Sequence, residues 1–402
     1  MATLQNLRRA DHDAVIADLE QAEGYIASIC FKTGPPAAVG VELEFTVHHR
    51  DDPAAVLDRD RLCQALGDHA PPALRADSPA LPLRHGSAVT LEPGGQVELS
   101  SRPHPSLTAL HEAVSAELQQ LTALLARTGL VLGDTGADPH RAPRRLLHTP
   151  RYDAMEAAFS RRGDAGTIMM CSTAGLQVCL DPGPAGELPA RWAAVHALGP
   201  PLMALFANSG RFAGAGTGWA SARQRAWHGI DPSRTRAAPT GTDPATDWTA
   251  YALDAEVLCV RRDDGAWATP AGVTFADWVG GALGRRPTYA DLDYHLSTLF
   301  PPVRPRGYLE IRYLDTQPGR HWFAPAALLT VLLDDAATVA RVLELCAPAA
   351  GRWVEAARDG LADPVLAGAA RAVRALAFDR LARLDLPPHL LADVVEGSTR
   401  ND

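Results

Sequence analysis

Four stretches of the chain alternate apolar with polar residues, which is typical of a β-strand with one buried face. The first covers residues 39–47 (VGVELEFTV), in which Glu42 and Glu44 alternate with aliphatic and aromatic residues. The other three are residues 91–101 (LEPGGQVELSS), 176–181 (LQVCLD) and 308–315 (YLEIRYLD). One sheet could therefore gather the polar faces into a single surface, with helices covering the aliphatic face.

The polar positions of these stretches carry mainly carboxylates, amides and an arginine. They are Glu92, Gln96 and Glu98 in the second stretch, Gln177 and Cys179 in the third, and Glu310 and Arg312 in the fourth. Carboxylates on one face repel each other unless water or a cation lies between them. The first stretch alone would fit a solvated edge strand, but the four together favour a site for a hard divalent cation, which prefers oxygen ligands.

Helical spacing of apolar residues predicts several helices around this sheet. They cover residues 9–30, 105–127, 325–345 and 351–376. The sequence thus predicts an α/β protein of the α+β type, with a curved, mainly antiparallel sheet and helices on its outer face. We expect one catalytic domain over residues 1–402, with the motifs in a core of residues 35–335 and a helical C-terminal extension of residues 336–402.

Composition excludes some classes of partner. The chain has 402 residues, 47% hydrophobic content and a formal charge of −9, and it has no long basic run, which argues against nucleic acid. No apolar run reaches transmembrane length, so we expect no membrane partner. The six cysteines are scattered without a CxxC pair, as is usual for reduced thiols in a cytoplasmic protein. The oligomeric state is left open.

Positive charge is carried almost entirely by arginine, because Lys32 is the only lysine. A GC-rich genome alone could produce this bias. It nevertheless has a chemical consequence, since a P-loop needs a lysine after its glycines and no such motif is present. If the protein uses ATP, metal ions and arginines must hold its phosphates.

Five motifs, in order between about Gly40 and Asp335, resemble those of the glutamate–cysteine ligases. They are VGVELEF, LEPGGQVELSS, MMCSTAGLQVCLD, TGWASARQRAWHGIDPSRT and DLDYHLSTLFPPVRPRGYLEIRYLD. The resemblance is closest to the actinobacterial enzymes of ergothioneine biosynthesis and more distant to the plant enzymes. It implies a glutamine synthetase-like catalytic fold. It also implies ATP- and Mg²⁺-dependent joining of glutamate to cysteine, which gives γ-glutamylcysteine.

The resemblance also implies roles for individual residues. The expected Mg²⁺ ligands are Glu42, Glu44, Glu92, Glu98 and Glu310. The expected catalytic residues are Arg312, Glu310 and Arg304. The expected substrate-binding residues are Gln96, Arg223, Arg234, Gln177 and Cys179.

Three positions depart from the family pattern. Thr167 stands where an arginine is usual, Gly175 where a small hydroxyl residue is common, and Cys179 where an asparagine often ends the strand. The carboxylate set is intact, so ATP and metal binding are expected. The departures leave two alternatives open: a paralogue that joins glutamate to another amine, and a relative that binds nucleotide or amino acid without turnover.

Overall fold

The computed structural model describes residues 12–384 and 386–402, and it is built around a six-stranded sheet. The strand order is β3-β4-β1-β6-β10-β9, and every neighbouring pair is antiparallel. These strands are β1 (Val39–Phe45), β3 (Ala88–Leu91), β4 (Val97–Ser100), β6 (Gly175–Leu180), β9 (Val303–Pro305) and β10 (Leu309–Asp315). Two small ribbons pair β2 (Val47–His49) with β5 (Leu130–Leu132) and β7 (Arg211–Phe212) with β8 (Ala215–Gly216). The predicted fold class, α+β with an antiparallel sheet, is confirmed.

The register of the sheet brings the four predicted polar stretches side by side. Residues directly opposite each other in antiparallel strands project from the same face. Three rows of polar residues therefore cross the sheet. The first row is Thr90, Glu98 and Glu44, the second is Ser100, Glu42 and Gln177, and the third is Cys179, Glu310 and Arg304. The register shifts between Ile311 and Leu314 of β10.

Helices surround the sheet. The first nine are α1 (Leu19–Cys30), α2 (Arg59–Leu66), α3 (Leu107–Ala126), α4 (Pro150–Phe159), α5 (Ala165–Ser172), α6 (Leu188–Ala197), α7 (Gly199–Leu205), α8 (Ala222–Gly229) and α9 (Pro232–Thr235). The others are α10 (Pro244–Asp254), α11 (Phe275–Val279), α12 (Tyr289–Leu296), α13 (Phe323–Leu332), α14 (Ala336–Cys346), α15 (Trp353–Asp359), α16 (Pro364–Leu381) and α17 (Pro388–Thr399). Short 3₁₀ turns lie at Gly67–His69, Ser160–Arg162, Ala185–Glu187, Gly319–Trp322, Ala347–Ala349 and Gly360–Ala362.

N-terminal caps explain why the predicted helices 9–30, 325–345 and 351–376 are shorter or divided in the structure. Asp18 accepts a hydrogen bond from the backbone of Gln21, so α1 begins at Leu19, and residues 9–11 of that prediction lie outside the described residues. The predicted helix 325–345 is two helices, because Asp335 caps α14. Likewise Asp363, with the following proline at the first helical position, begins α16 inside the predicted helix 351–376.

The aliphatic face of the sheet belongs to a hydrophobic core that reaches the C-terminal helices. Val41, Leu43 and Ile311 are buried in the same core as Val373 of α16 and Leu390 of α17. Helices α3, α7 and α13 contact strands of the sheet. This packing leaves the opposite, polar face for chemistry. The single-domain organisation, with an extension after residue 335, stays a prediction.

Within the described residues, no helix combines the length and the apolar character needed to span a bilayer.

Candidate functional site

Three carboxylates meet at one end of the polar face, and we call them the acidic cluster: Glu44, Glu92 and Glu98. Oxygen atoms of the three side chains lie within 4.8 Å of one another. Glu44 comes from β1, Glu98 from the neighbouring β4, and Glu92 from the turn between β3 and β4. This turn is closed by hydrogen bonds from Gly95 N to Glu92 O (2.8 Å) and from Glu92 N to Gln96 O (2.9 Å).

The electrostatics of this region favour uptake of a cation. Burial, followed by the neighbouring Glu44 and Glu98, raises the pKa of Glu92 to about 8. Burial, followed by Glu310 and Glu98, raises the pKa of Glu42 to about 8, and burial and Glu44 also raise the pKa of Glu98. Without a cation, these carboxyls hold protons above their usual pH range because burial disfavours their charged forms and, after that, neighbouring carboxylates repel one another. A divalent ion would supply the missing positive charge.

Neighbouring polar groups hold two of the cluster carboxylates in place. Glu98 accepts hydrogen bonds from the hydroxyls of Thr90 (2.7 Å) and Ser100 (2.8 Å). Glu44 accepts from the backbone N of Gly175 (2.6 Å) and from Nε2 of Gln177 (3.0 Å). Each carboxylate retains acceptor capacity, since an ionised carboxylate has about four lone-pair positions. The donor set therefore fits a metal ion that prefers oxygen.

The opposite end of the polar face is basic, and we call it the arginine cluster: Arg304, Arg306 and Arg312 around Glu310. Glu310 accepts four hydrogen bonds from these arginines. Its Oε2 accepts one from Arg304 Nε (2.6 Å) and one from Arg312 NH1 (3.1 Å). Its Oε1 accepts one from Arg304 NH2 (3.1 Å) and one from Arg306 NH1 (3.2 Å). Burial alone would raise its pKa, but Arg304 and Arg312 hold the pKa of Glu310 well below the usual range.

This arrangement changes the interpretation of Glu310. Arginine donors fill its four acceptor positions, so a metal ion could bind Glu310 only after an arginine had moved. Arg304 is equally committed, because its third nitrogen donates to Leu299 O (2.8 Å). The ligand role predicted for Glu310 and the catalytic role predicted for Arg304 stay predictions. In this structure Glu310 contacts Arg312 directly, and Arg304 holds Glu310.

Arg312 and Gln177 join the two ends of the face. Arg312 NH1 donates a hydrogen bond to Gln177 Oε1, and Gln177 Nε2 in turn donates one to Glu44 Oε1 (3.0 Å). Nε and NH2 of Arg312 have no protein acceptor among residues 12–384 and 386–402. They are thus available to an anion bound beside the acidic cluster.

Cys179 occupies the third row, between Gly40 and Glu310. Burial, followed by Glu42 and Glu310, raises the pKa of its thiol well above the ordinary value. A neutral thiol is a weak donor and a weak acceptor. Cys179 therefore lies on the predicted face, but it contributes little polarity there. Thr167, the first of the three departures, lies in α5 rather than on the strand.

Arg223 lies above β6 and is almost completely buried, with 2% exposure. Its backbone N donates to Ser209 Oγ (3.2 Å), and the hydroxyls of Ser209 and Ser221 both donate to Asp315 (2.7 and 2.9 Å). Ser221 is also the N-cap of α8. Asp315 at the end of β10 therefore fixes the start of the helix that carries Arg223.

Two predicted substrate contacts have structural partners. Arg234 donates from Nε to Asp231 (2.8 Å), from NH1 to Thr298 O (3.0 Å) and from NH2 to Glu256 O (2.5 Å), so it anchors loops. The substrate contact predicted for Arg234 stays a prediction. Gln96 donates to the backbone O of Thr173 (2.9 Å) and holds the end of α5. Its Oε1 is buried without a partner among the described residues, so a substrate contact there stays a prediction.

The structure adds residues that the sequence did not assign. Arg306 joins the arginine cluster, and the i,i+4 spacing from Glu310 across a turn was the available signal. Arg151, the second residue of α4, donates to Ser297 O (3.0 Å). Burial raises the pKa of Glu92, and the charges of Arg312 and then Arg151 oppose that rise. Several arginines stand close together before this helix, and the sequence offered no reason to select Arg151 among them.

Comparison with known proteins identifies the family. Residues 38–388 match the family described as Glutamate-cysteine ligase family 2 (GCS2). The chain is 43% identical to glutamate–cysteine ligase EgtA of Mycolicibacterium smegmatis, over 90% of this chain and 84% of that protein. It is 42% identical to EgtA of Mycobacterium tuberculosis, over 92% and 86% respectively. The chloroplastic glutamate–cysteine ligase of Brassica juncea is 33% identical, over 69% of this chain and 55% of that protein.

A solved glutamate–cysteine ligase of Francisella tularensis, crystallised with AMP, superposes with a TM-score of 0.49 at 14% identity. The alignment covers 92% of this chain and 82% of that chain. The family match spans both the acidic cluster and the arginine cluster, and the relatives named EgtA extend over nearly the whole sequence. The chain therefore belongs to glutamate–cysteine ligase family 2 and is a ligase.

Proposed function

We propose that the protein joins L-glutamate to L-cysteine in an ATP- and Mg²⁺-dependent reaction in the cytoplasm, and that the γ-glutamylcysteine formed feeds ergothioneine synthesis. The γ-carboxylate of glutamate attacks the γ-phosphorus of ATP, and the bond to ADP breaks to give γ-glutamyl phosphate. The amine of cysteine then attacks the acyl carbon and phosphate leaves. The observation that carries this proposal is the acidic cluster beside the free donors of Arg312.

The acidic cluster fits the metal that this chemistry needs. Glu44, Glu92 and Glu98 would hold the ion, and Glu42 is a further carboxylate in the second row. Bound there, Mg²⁺ would neutralise charge on the phosphates of ATP. Thr90, Ser100 and Gln177 orient the ligands in advance, as outer partners of metal-binding carboxylates do.

Arg312 is the candidate for stabilising the phosphoryl group during transfer. Glu310 and Gln177 hold one of its terminal nitrogens, so the guanidinium is oriented before substrate binds. Charge spreads over the equatorial oxygens of the transferring group, and a fixed fork of donors suits those oxygens. Fixing the donors in advance reduces the reorganisation required in the transition state.

Arg223 is the candidate for binding the α-carboxylate of glutamate. Burial lowers the pKa of its guanidinium, and the neighbouring Glu44 of the acidic cluster opposes this shift. Nε and NH1 have no acceptor among the described residues. An anionic substrate group would satisfy them, and a buried arginine without an acceptor is unfavourable. The relatives named glutamate–cysteine ligase support glutamate as this substrate.

Product analysis tests this function. The protein is incubated with ATP, Mg²⁺, glutamate and either cysteine or one of a panel of other amines, and ADP and peptide products are quantified. We expect γ-glutamylcysteine with one ADP for each peptide bond. A γ-glutamyl product with a different amine would identify a paralogue. Nucleotide binding without any product would identify a non-catalytic relative.

A further inference from the structure

The guanidinium of Arg223 occupies the space that a side chain at residue 175 would fill. A β-carbon built on Gly175 would lie 2.4 Å from NH2 of Arg223, 2.8 Å from Cζ and 3.0 Å from Nε. All three distances are shorter than ordinary van der Waals contact. The guanidinium is therefore packed directly on the backbone of β6, and in this chain residue 175 can carry no side chain while Arg223 keeps this position.

The backbone itself does not require glycine at residue 175. Gly175 lies in β6, paired with Asp315, and has no positive φ. Glycine within a strand is destabilising relative to alanine because of its greater conformational entropy in the unfolded chain. Close approach of another group is the usual reason for such a glycine, and here that group is the guanidinium.

The packed guanidinium is poised to bind an anion. NH2 donates to Arg312 O (3.0 Å), whereas Nε and NH1 are buried and have no acceptor within the described part of the chain. The ring of Trp227 lies 5.9 Å from Cζ of Arg223 and 6.0 Å from Cζ of Arg312. On the strand side, the backbone N of Gly175 donates to Glu44 of the acidic cluster. The donors thus lie between an indole ring and the proposed metal site.

We propose that Gly175 is a positioning residue for the amino-acid substrate. By lacking a side chain, it lets Arg223 lie against β6 and so sets the distance between the bound substrate carboxylate and the acidic cluster. This inference rests on the proposed function, in which Arg223 binds the α-carboxylate of glutamate. Even a methyl group at residue 175 displaces the guanidinium away from the strand.

The test begins with steady-state kinetics of Gly175→Ala. We expect the KM for glutamate to rise roughly tenfold or more, as expected for loss of a charge-assisted hydrogen bond. The KM for ATP and kcat should change by less than about threefold, since the substrate is still activated once bound. Gly216→Ala is the control. Gly216 also lies in a strand, β8, but an added β-carbon there would meet no atom within 4 Å, so near-native kinetics are expected.

A double-mutant cycle with Arg223→Ala separates this role from a general packing defect. With Arg223 removed, Gly175→Ala should no longer raise the KM for glutamate. The unfolding temperature is measured without ligand. In the native background, Gly175→Ala should lower it. In the Arg223→Ala background, the same substitution should not lower it. If Gly175→Ala does not fold, recovery of folding in the double variant supports the contact.

Several outcomes would overturn the proposal. They are an unchanged KM for glutamate in Gly175→Ala, an equal rise with and without Arg223, or an unfolded single variant that the second substitution does not rescue. The unfolding cycle needs no turnover. A native protein without ligase activity would therefore contradict the proposed function while the cycle still decides whether Gly175 positions Arg223.

Discussion

Binding of Mg²⁺ should depend steeply on pH because two carboxyls at the site hold protons. The pKa values of Glu92 and Glu42 are about 8, so at pH 6 both groups are largely protonated in the metal-free protein. A metal ion must displace the proton of any carboxyl that it binds. If binding displaces one proton, the Kd for Mg²⁺ falls about tenfold for each unit that the pH rises between 6 and 8. If binding displaces two protons, the Kd falls about a hundredfold for each unit.

Calorimetric titration of Mg²⁺ into the nucleotide-free protein measures this linkage directly. Repeating the titration in buffers with different ionisation enthalpies gives the number of protons released. We expect one proton from Glu92, a contribution from Glu98, whose pKa is also raised, and a further proton if Glu42 also binds the ion. Glu92→Gln is the matched control, because it keeps the shape of the side chain and should remove one proton from the count. Tight binding of Mg²⁺ at pH 6 without proton release would refute the reasoning.

The same groups predict the pH dependence of stability. Their folded-state pKa values are raised, so between about pH 4.5 and 8 the folded protein binds more protons than the unfolded chain. Stability of the metal-free protein therefore falls as pH rises through this range. Saturating Mg²⁺ should oppose the fall, and Glu92→Gln should flatten it. Thermal unfolding at several pH values checks the sign.

Four substitutions test other residues on or beside the face. Arg312→Lys should lower kcat by roughly tenfold or more while changing ATP affinity little, since lysine keeps the charge but loses the planar fork; normal turnover at saturating ATP would contradict this role. Glu98→Gln should abolish ADP formation with little change in unfolding temperature, and near-native ADP release would exclude Glu98 as a required ligand. Cys179→Asn, alone or with Thr167→Arg, should tighten glutamate binding roughly tenfold or more. Glutamate is titrated into each variant in the presence of a non-hydrolysable ATP analogue. If neither variant binds glutamate more tightly, the departures at residues 167 and 179 are neutral drift.

The sheet could be predicted because alternation specifies which face of a strand is buried. Once Glu42 and Glu44 are assigned to one face, the aliphatic neighbours must face the core, and the structure agrees. The residues directly opposite one another could not be predicted. A shift of one residue would turn Glu98 towards the core, so the register depends on packing of the aliphatic side chains across all six strands.

The arginines were harder to assign than the carboxylates. Arg234 and Arg223 come from the same motif, yet among the described residues each guanidinium nitrogen of Arg234 has a partner, while Nε and NH1 of Arg223 have none. The partners of Arg234 include backbone carbonyls of Glu256 and Thr298, which are distant in sequence. A backbone carbonyl leaves no signal in the sequence, because every residue has one. Which arginine is free for substrate therefore becomes apparent only from the folded chain.

The distribution of charge explains why a neutral amide lies in the middle of the polar face. The acidic cluster lies towards β3 and β4, and the arginine cluster lies towards β9. Gln177 on β6 separates them, donating to Glu44 and accepting from Arg312. A carboxylate there could not donate to Glu44, and a cation could not accept from Arg312. An amide satisfies both neighbours at once, so the acidic cluster and the arginine cluster can lie next to each other without neutralising one another.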